Sequence, residues 1–128
     1  MGRIIASVTL ENVHDRDKKI RLDALVDTGA SHMVLPAEWK DRLGHLEEIR
    51  TVEMETATQR TEKASICGPV RLQIEGFDPI FTEVAFVEMV PEHGEYEPLL
   101  GYIPLEQSQA AVDMLGHRLV FVKRLDLK

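Results

Sequence analysis

The chain has 128 residues, of which 44% are apolar and 29% charged, as expected for one compact domain that buries its own core. Its formal net charge of -7 and isoelectric point near 5.2 leave no basic stripe for phosphate contacts. No apolar segment approaches the length needed to cross a bilayer. We therefore predict a single domain over residues 1–128, with no nucleic-acid partner and no membrane partner.

The cysteine and histidine content argues against metal or disulfide chemistry. Cys67 is the only cysteine, so no disulfide can form within the chain and a cytoplasmic location is the expectation. We expect Cys67 to be a small buried apolar residue rather than a nucleophile. The histidines show no spacing typical of metal ligands, so we predict no metal and no cofactor. They are His14, His32, His45, His93 and His117.

Most of the chain alternates apolar and polar residues with a period of two, which indicates strands with one buried face. The first strand is predicted near residues 3 to 10 and the second at residues 19 to 26, so that the two form a hairpin. A short apolar run follows at residues 33 to 35. Pro36 near the start and Gly44 past the end then predict a short helix between them.

The middle of the chain predicts a longer hairpin followed by a further strand. Residues 52 to 58 and 63 to 74 are its two arms, and residues 59 to 61 lie near its tip. Glycine and proline break the pattern at residues 76 to 79. The next strand is predicted at residues 80 to 90.

The last third repeats the order strand, glycine turn and helix. An acidic loop at residues 91 to 98 precedes Leu99-Leu100-Gly101, which ends a short strand. Helix-forming residues at 104 to 114 predict a second helix, and residues 118 to 127 the final strand. The fold class is therefore all-β with one or two short helices.

The most informative stretch is the apolar strand that leads into Asp27-Thr28-Gly29-Ala30-Ser31. An apolar pair followed by glycine, Leu99-Leu100-Gly101, comes later and leads into the second predicted helix. These two elements and the room between them for a flap hairpin resemble the retropepsin-like aspartic proteases, over nearly the whole chain. The resemblance implies a closed all-β barrel that acts as a homodimer.

The chemistry of this family explains why two copies are needed. Hydrolysis of a peptide bond by water requires one group that takes a proton and another that gives one. Two carboxylates within hydrogen-bond reach can do both, because repulsion between like charges makes them share one proton. The chain has only one Asp-Thr-Gly, and Asp23 lies roughly 13 Å from Asp27 along an extended strand. The second carboxylate must come from a second chain, which predicts a homodimer.

The resemblance also implies roles for single residues. It makes Asp27, Thr28 and Gly29 catalytic: Asp27 activates a water, Thr28 bonds to its twin, and Gly29 permits the tight turn. Residues predicted to bind substrate lie beside this turn, at the flap tip and in the second motif; they are Ala30, Ser31, Ala57, Thr58, Gln59 and Leu100. We expect an extended peptide, bonded along its backbone as an added strand would be. The predicted function is that of an aspartic endopeptidase.

Alternatives remain for the motif and its neighbours. A bare Asp-Thr-Gly is also an ordinary turn sequence, although the apolar strand before it and the second motif favour the protease. Flaps of the family usually have glycines at the tip, whereas residues 57 to 62 contain none, so a non-catalytic peptide-binding or regulatory module with the same fold is the alternative. A chain that stays monomeric would have no dyad. His32 either tunes the dyad or has a structural or solvated role.

Overall fold

The computed structural model describes residues 3–55 and 60–123. The predicted substrate-binding residues Ala57, Thr58 and Gln59 lie outside this range. Nine strands, one 3-10 helix and one α-helix are formed by the described residues. The strands are β1 (Ile5–Asn12), β2 (Lys19–Val26), β3 (Met33–Pro36), β4 (Glu47–Glu55), β5 (Thr61–Ile74), β6 (Ile80–Val87), β7 (Leu99–Leu100), β8 (Ala110–Asp113) and β9 (Arg118–Phe121), with the 3-10 helix at Ala37–Leu43 and α1 at Tyr102–Gln107.

Six of the strands close into a barrel. They pair in the order β1, β2, β7, β3, β6 and β5, and a further pairing of β5 with β1 closes the ring. β4 pairs with β5 outside the ring, so that β4 and β5 form a long antiparallel arm. The prediction of an all-β closed barrel with few helices is confirmed. Closure satisfies the backbone groups that an open sheet would leave at its edges.

The period-two pattern places one face of each hairpin strand in the core. In β1 the buried residues are Ala6, Val8 and Leu10, and in β2 they alternate in the same way. The two strands pair antiparallel, with Ile5 opposite Leu25. The predicted hairpin is therefore present, because alternation fixes which face of a strand is buried.

The first helix follows its predicted start and stop signals. Pro36 directly precedes it, and Gly44 ends it with a positive φ of 70° and an amide that donates to the Asp41 carbonyl. The helix buries Leu43 in the core, while Trp39 packs against the core only partly buried. Its geometry is 3-10 over all seven residues, which is longer than most 3-10 segments.

The second helix is shorter than predicted, and the prediction of helix at residues 104 to 114 is wrong in its second half. α1 ends at Gln107, and Gln109 adopts a positive φ of 57° that stops the helix. The Gln109 side-chain amide then donates to the Val122 carbonyl at 3.0 Å. This contact brings residues 110–113 beside β9, with which they pair as a strand.

The feature that positions the site is the insertion of β7 between two earlier strands. β7 runs parallel to β2, with Val26 opposite Leu100, and antiparallel to β3, with Met33 opposite Leu100. The chain must therefore leave β2, turn through residues 27–32 and return as β3 on the far side of β7. Gly101 ends β7 so close to this turn that a β-carbon would lie 2.5 Å from the His32 carbonyl oxygen and 2.6 Å from that of Ala30.

Gly101→Ala should destabilise the protein by about 3 kcal/mol, because the clash is with backbone that cannot rotate away. The backbone of Gly101 is extended, so the cost is steric rather than conformational. Urea unfolding measures it. Gly29→Ala is the matched control, because its new methyl would meet only the Asp27 carboxylate, at 3.1 Å. We expect it to cost less than about 1 kcal/mol; equal losses in both variants would contradict the close packing of β7.

Candidate active site

Asp27 is the first residue after β2, and its backbone is fixed on two sides. Its amide donates to the Leu100 carbonyl at 3.0 Å, and its carbonyl accepts from the Ala30 amide at 3.1 Å. The carboxylate oxygen Oδ1 accepts from the Gly29 amide at 2.9 Å. The turn therefore orients the half-buried Asp27 side chain, because the Gly29 amide binds one of its carboxylate oxygens.

The turn is tied in place by the start of α1. The amides of Gly101, Tyr102 and Ile103 donate to the carbonyls of His32, Ala30 and Ser31, respectively, at 2.9 to 3.0 Å. The first amides of a helix have no partner within the helix, and here the turn supplies their acceptors. The geometry around Asp27 therefore depends on two segments that are far apart in the sequence.

Leu100, which was predicted to bind substrate, has a side chain that is fully buried in the core. Its contribution is its carbonyl, which accepts the Asp27 amide.

The other predicted residues lie together on the turn. Thr28 and Gly29 are exposed beside Asp27, and Ala30 and Ser31 are half-buried. The arms of the predicted flap are formed by β4 and β5, which are paired out to Glu55 and Thr61. The structure therefore brings residues 27–31 to one place at the end of β2.

Sequence reasoning missed a polar network behind the turn. The Ser31 hydroxyl lies 2.7 Å from His32 Nδ1, and His32 Nε2 lies 3.6 Å from the Glu83 carboxylate. Arg50 donates to both oxygens of Glu83, at 3.1 and 3.2 Å. The network links the turn to β6 and to the β4 arm. No local sequence pattern predicts this network, because Arg50 and Glu83 are far from Ser31 and His32 in the sequence.

Arg50 keeps Glu83 ionised. The hydrogen bonds from Arg50 lower the pKa of the Glu83 carboxyl below its usual value. Burial opposes this by a smaller amount, and the charge of Arg50 and the contact with His32 lower the pKa further. A β-bulge lies in β4 between Glu48 and Arg50, where the register against β5 shifts. Such bulges redirect the side chains that follow them.

The remaining groups of the described residues lie outside the turn. Cys67 is free and buried, as predicted. Two surface cavities are lined by residues around His45 and Leu46, and neither includes Asp27. Among residues 3–55 and 60–123, no three His, Cys, Asp or Glu side chains cluster as metal ligands would. The same residues contain no helix long and apolar enough to cross a membrane.

Two solved structures with a similar fold are a protease and a protease-like domain. EIAV protease complexed with the inhibitor HBY-793 matches with a TM-score of 0.57 and 20% identity, covering 82% of this chain and 86% of that one. The retroviral protease-like domain of Ddi1 from Leishmania major matches with a TM-score of 0.62 and 12% identity, covering 97% and 91%. At these identities the likeness concerns the fold.

The sequence itself carries the family assignment. Comparison with curated proteins finds no significant match. The family described as "gag-polyprotein putative aspartyl protease" matches residues 7–107, which include the Asp27 turn and the Leu99-Leu100-Gly101 motif. This match covers well over half of the chain, and the retropepsin-like resemblance is confirmed. The chain therefore belongs to the gag-polyprotein aspartyl protease family.

Proposed function

We propose that the protein is an aspartic endopeptidase whose active site forms only when two copies pair and bring their Asp27 carboxylates together. The observation that carries the proposal is the turn itself. It holds one carboxylate, half-exposed, with Oδ1 bonded to the Gly29 amide and the adjacent Thr28 facing solvent. One such carboxylate can take a proton or give one, whereas hydrolysis requires both actions at once.

A twofold axis beside Asp27 supplies the missing group. Two carboxylates within hydrogen-bond reach share one proton, so the ionised member activates a water while the protonated member polarises the scissile carbonyl. The apparent pKa values then belong to the pair, and kcat/KM should follow a bell-shaped pH profile. The substrate lies as an extended peptide across both turns, and the mechanism uses no metal and no covalent intermediate.

The surface around Asp27 suits such a pairing. Ile5 is 52% exposed on β1, opposite Leu25, which is two residues before Asp27. Tyr102 is 44% exposed, and its amide is bonded to the turn. In the proposed dimer, Ile5 and Tyr102 lie beside the axis, and pairing would bury both side chains. Burial of apolar surface contributes about 25 cal/mol per Å² to such an association.

A non-catalytic peptide-binding or regulatory module is the second candidate. Its support is the absence of glycine from residues 57 to 62, where the family usually has a glycine-rich tip that lets the flap close. In such a module, Asp27 would help to shape the turn without chemistry. The variants below separate the two functions.

Asp27→Asn should lower kcat/KM by at least about a hundredfold, because the amide can neither take nor give the proton. Its oxygen can still accept from the Gly29 amide, so stability and dimerisation should change little. Asp23→Asn is the matched control, an exposed carboxylate four residues earlier on β2, and should cleave as wild type. The assay is a peptide-library digest between pH 4 and 7. Cleavage that persists in Asp27→Asn would exclude the shared dyad.

Tyr102→Lys should weaken the dimer and lower activity in parallel, because it places a charge beside the proposed axis. Light scattering over a dilution series measures the dimer. His14→Lys is the matched control: His14 is exposed in the turn between β1 and β2, at the end of this hairpin opposite Asp27. If both variants weaken the dimer equally, or if neither weakens it, the interface lies elsewhere.

A further inference from the structure

The network behind the turn constrains the proton on His32. Arg50 holds Glu83 as a carboxylate, and this carboxylate faces His32 Nε2 at 3.6 Å. A bare nitrogen lone pair pointed at a carboxylate is repelled, whereas an N–H is attracted. Nε2 therefore carries a hydrogen whether the ring is neutral or protonated. The side chain of His32 is only 12% exposed, so water does little to offset this preference.

Protonation of the ring therefore adds a hydrogen to Nδ1, which lies 2.7 Å from the Ser31 hydroxyl. In the neutral ring Nδ1 has no hydrogen, so Ser31 must donate and its oxygen lone pairs remain available. When Nδ1 takes a proton from solvent, the ring must donate to the Ser31 oxygen, and the hydroxyl hydrogen is released to another acceptor. Protonation therefore reverses the hydrogen bond between the two residues.

We propose that His32 is a positioning residue which decides whether the Ser31 hydroxyl accepts or donates a hydrogen bond toward the bound peptide. This inference rests on the proposed function, because it places the peptide across the turn that carries Asp27. Ser31 follows Asp27 on this turn and is half-buried, with its carbonyl fixed by the Ile103 amide. With neutral His32 the hydroxyl accepts from a peptide N–H, and with protonated His32 it donates to a peptide carbonyl.

The charged groups around His32 come from three elements. Glu83 faces it from β6, Arg50 reaches Glu83 from β4, and Asp27 lies on the same turn. The network therefore links the protonation of His32 to the direction of the Ser31 hydrogen bond, separately from the Asp27 pair.

The hydrogen bond is tested first without any substrate. Ring ¹⁵N chemical shifts of His32 in the full chain should show hydrogen on Nε2 and none on Nδ1 at neutral pH. In Glu83→Gln the preference should fall toward a mixture of both tautomers, while the exposed His14 ring is unchanged. A His32 ring with its hydrogen on Nδ1 at neutral pH, or a tautomer that ignores Glu83→Gln, would overturn the proposal.

The effect on the peptide is tested by pH profiles of kcat/KM, with a peptide identified in the library digest as substrate. Superimposed on the bell-shaped profile of the Asp27 pair, wild type should show a further step of about threefold to tenfold between pH 5 and 8, the size of one hydrogen bond. His32→Asn and Ser31→Ala should each remove the step, and the double variant should match Ser31→Ala alone. His14→Asn, a change of an exposed histidine in the β1–β2 turn, should retain it.

The outcomes separate this inference from the proposed function. A loss of activity in His32→Asn that is uniform across pH would mean a merely structural role and would overturn the inference while leaving the peptidase intact. The absence of any Asp27-dependent cleavage would instead reject the peptidase. In that case the ¹⁵N measurement still decides the direction of the bond between Ser31 and His32.

Discussion

The close approach of Gly101 to the turn at residues 27–32 is the constraint on which the site depends. Because β7 lies between β2 and β3, the chain must cross over it, and the crossing places Asp27 at the surface. The amides that open α1 then find their acceptors in that crossing. Hydrogen bonds to backbone groups, rather than to other side chains, therefore position the Asp27 carboxylate. A site held in this way is rigid before any substrate arrives, which lowers the cost of binding in a reactive geometry.

In the proposed mechanism, the same geometry gives each chain half of the catalytic dyad. One turn supplies one carboxylate, and the barrel has no second copy of the motif. Pairing about a single twofold axis would supply a second copy of both Asp27 and Thr28. The proposal therefore links dimerisation to activity, and both would depend on the surface beside the turn. The network of Ser31, His32 and Glu83 would lie beside Asp27 in each half of the proposed dimer.

Local patterns were sufficient to predict most of the barrel and the turn. Alternation identified the β1–β2 hairpin, and the signals at Pro36 and Gly44 identified the first helix, because these features arise between neighbouring residues. The second helix was overestimated, because the strand at residues 110–113 owes its form to pairing with β9 and to the conformation of Gln109. Helix propensity depends on the local sequence and cannot predict the pairing with β9.

The site was predictable to the extent that it lies on one turn. Asp27, Thr28, Gly29, Ala30 and Ser31 are consecutive, so the sequence alone places them together. The contact of His32 with Glu83 comes instead from strand order, which brings distant segments together. The burial of Leu100 was missed for a related reason. Its burial comes from the position of β7 between β2 and β3, which local sequence does not reveal.

Mixing wild-type chains with Asp27→Asn chains tests the shared dyad most directly. If each active site needs one Asp27 from each chain, mixed dimers are inactive, and an equal mixture retains active pairs in about a quarter of its dimers. Activity should then fall with the square of the wild-type fraction after subunit exchange at constant total protein. A linear fall, with half of the activity retained at equal mixing, would mean that each chain carries a complete site and would contradict the account.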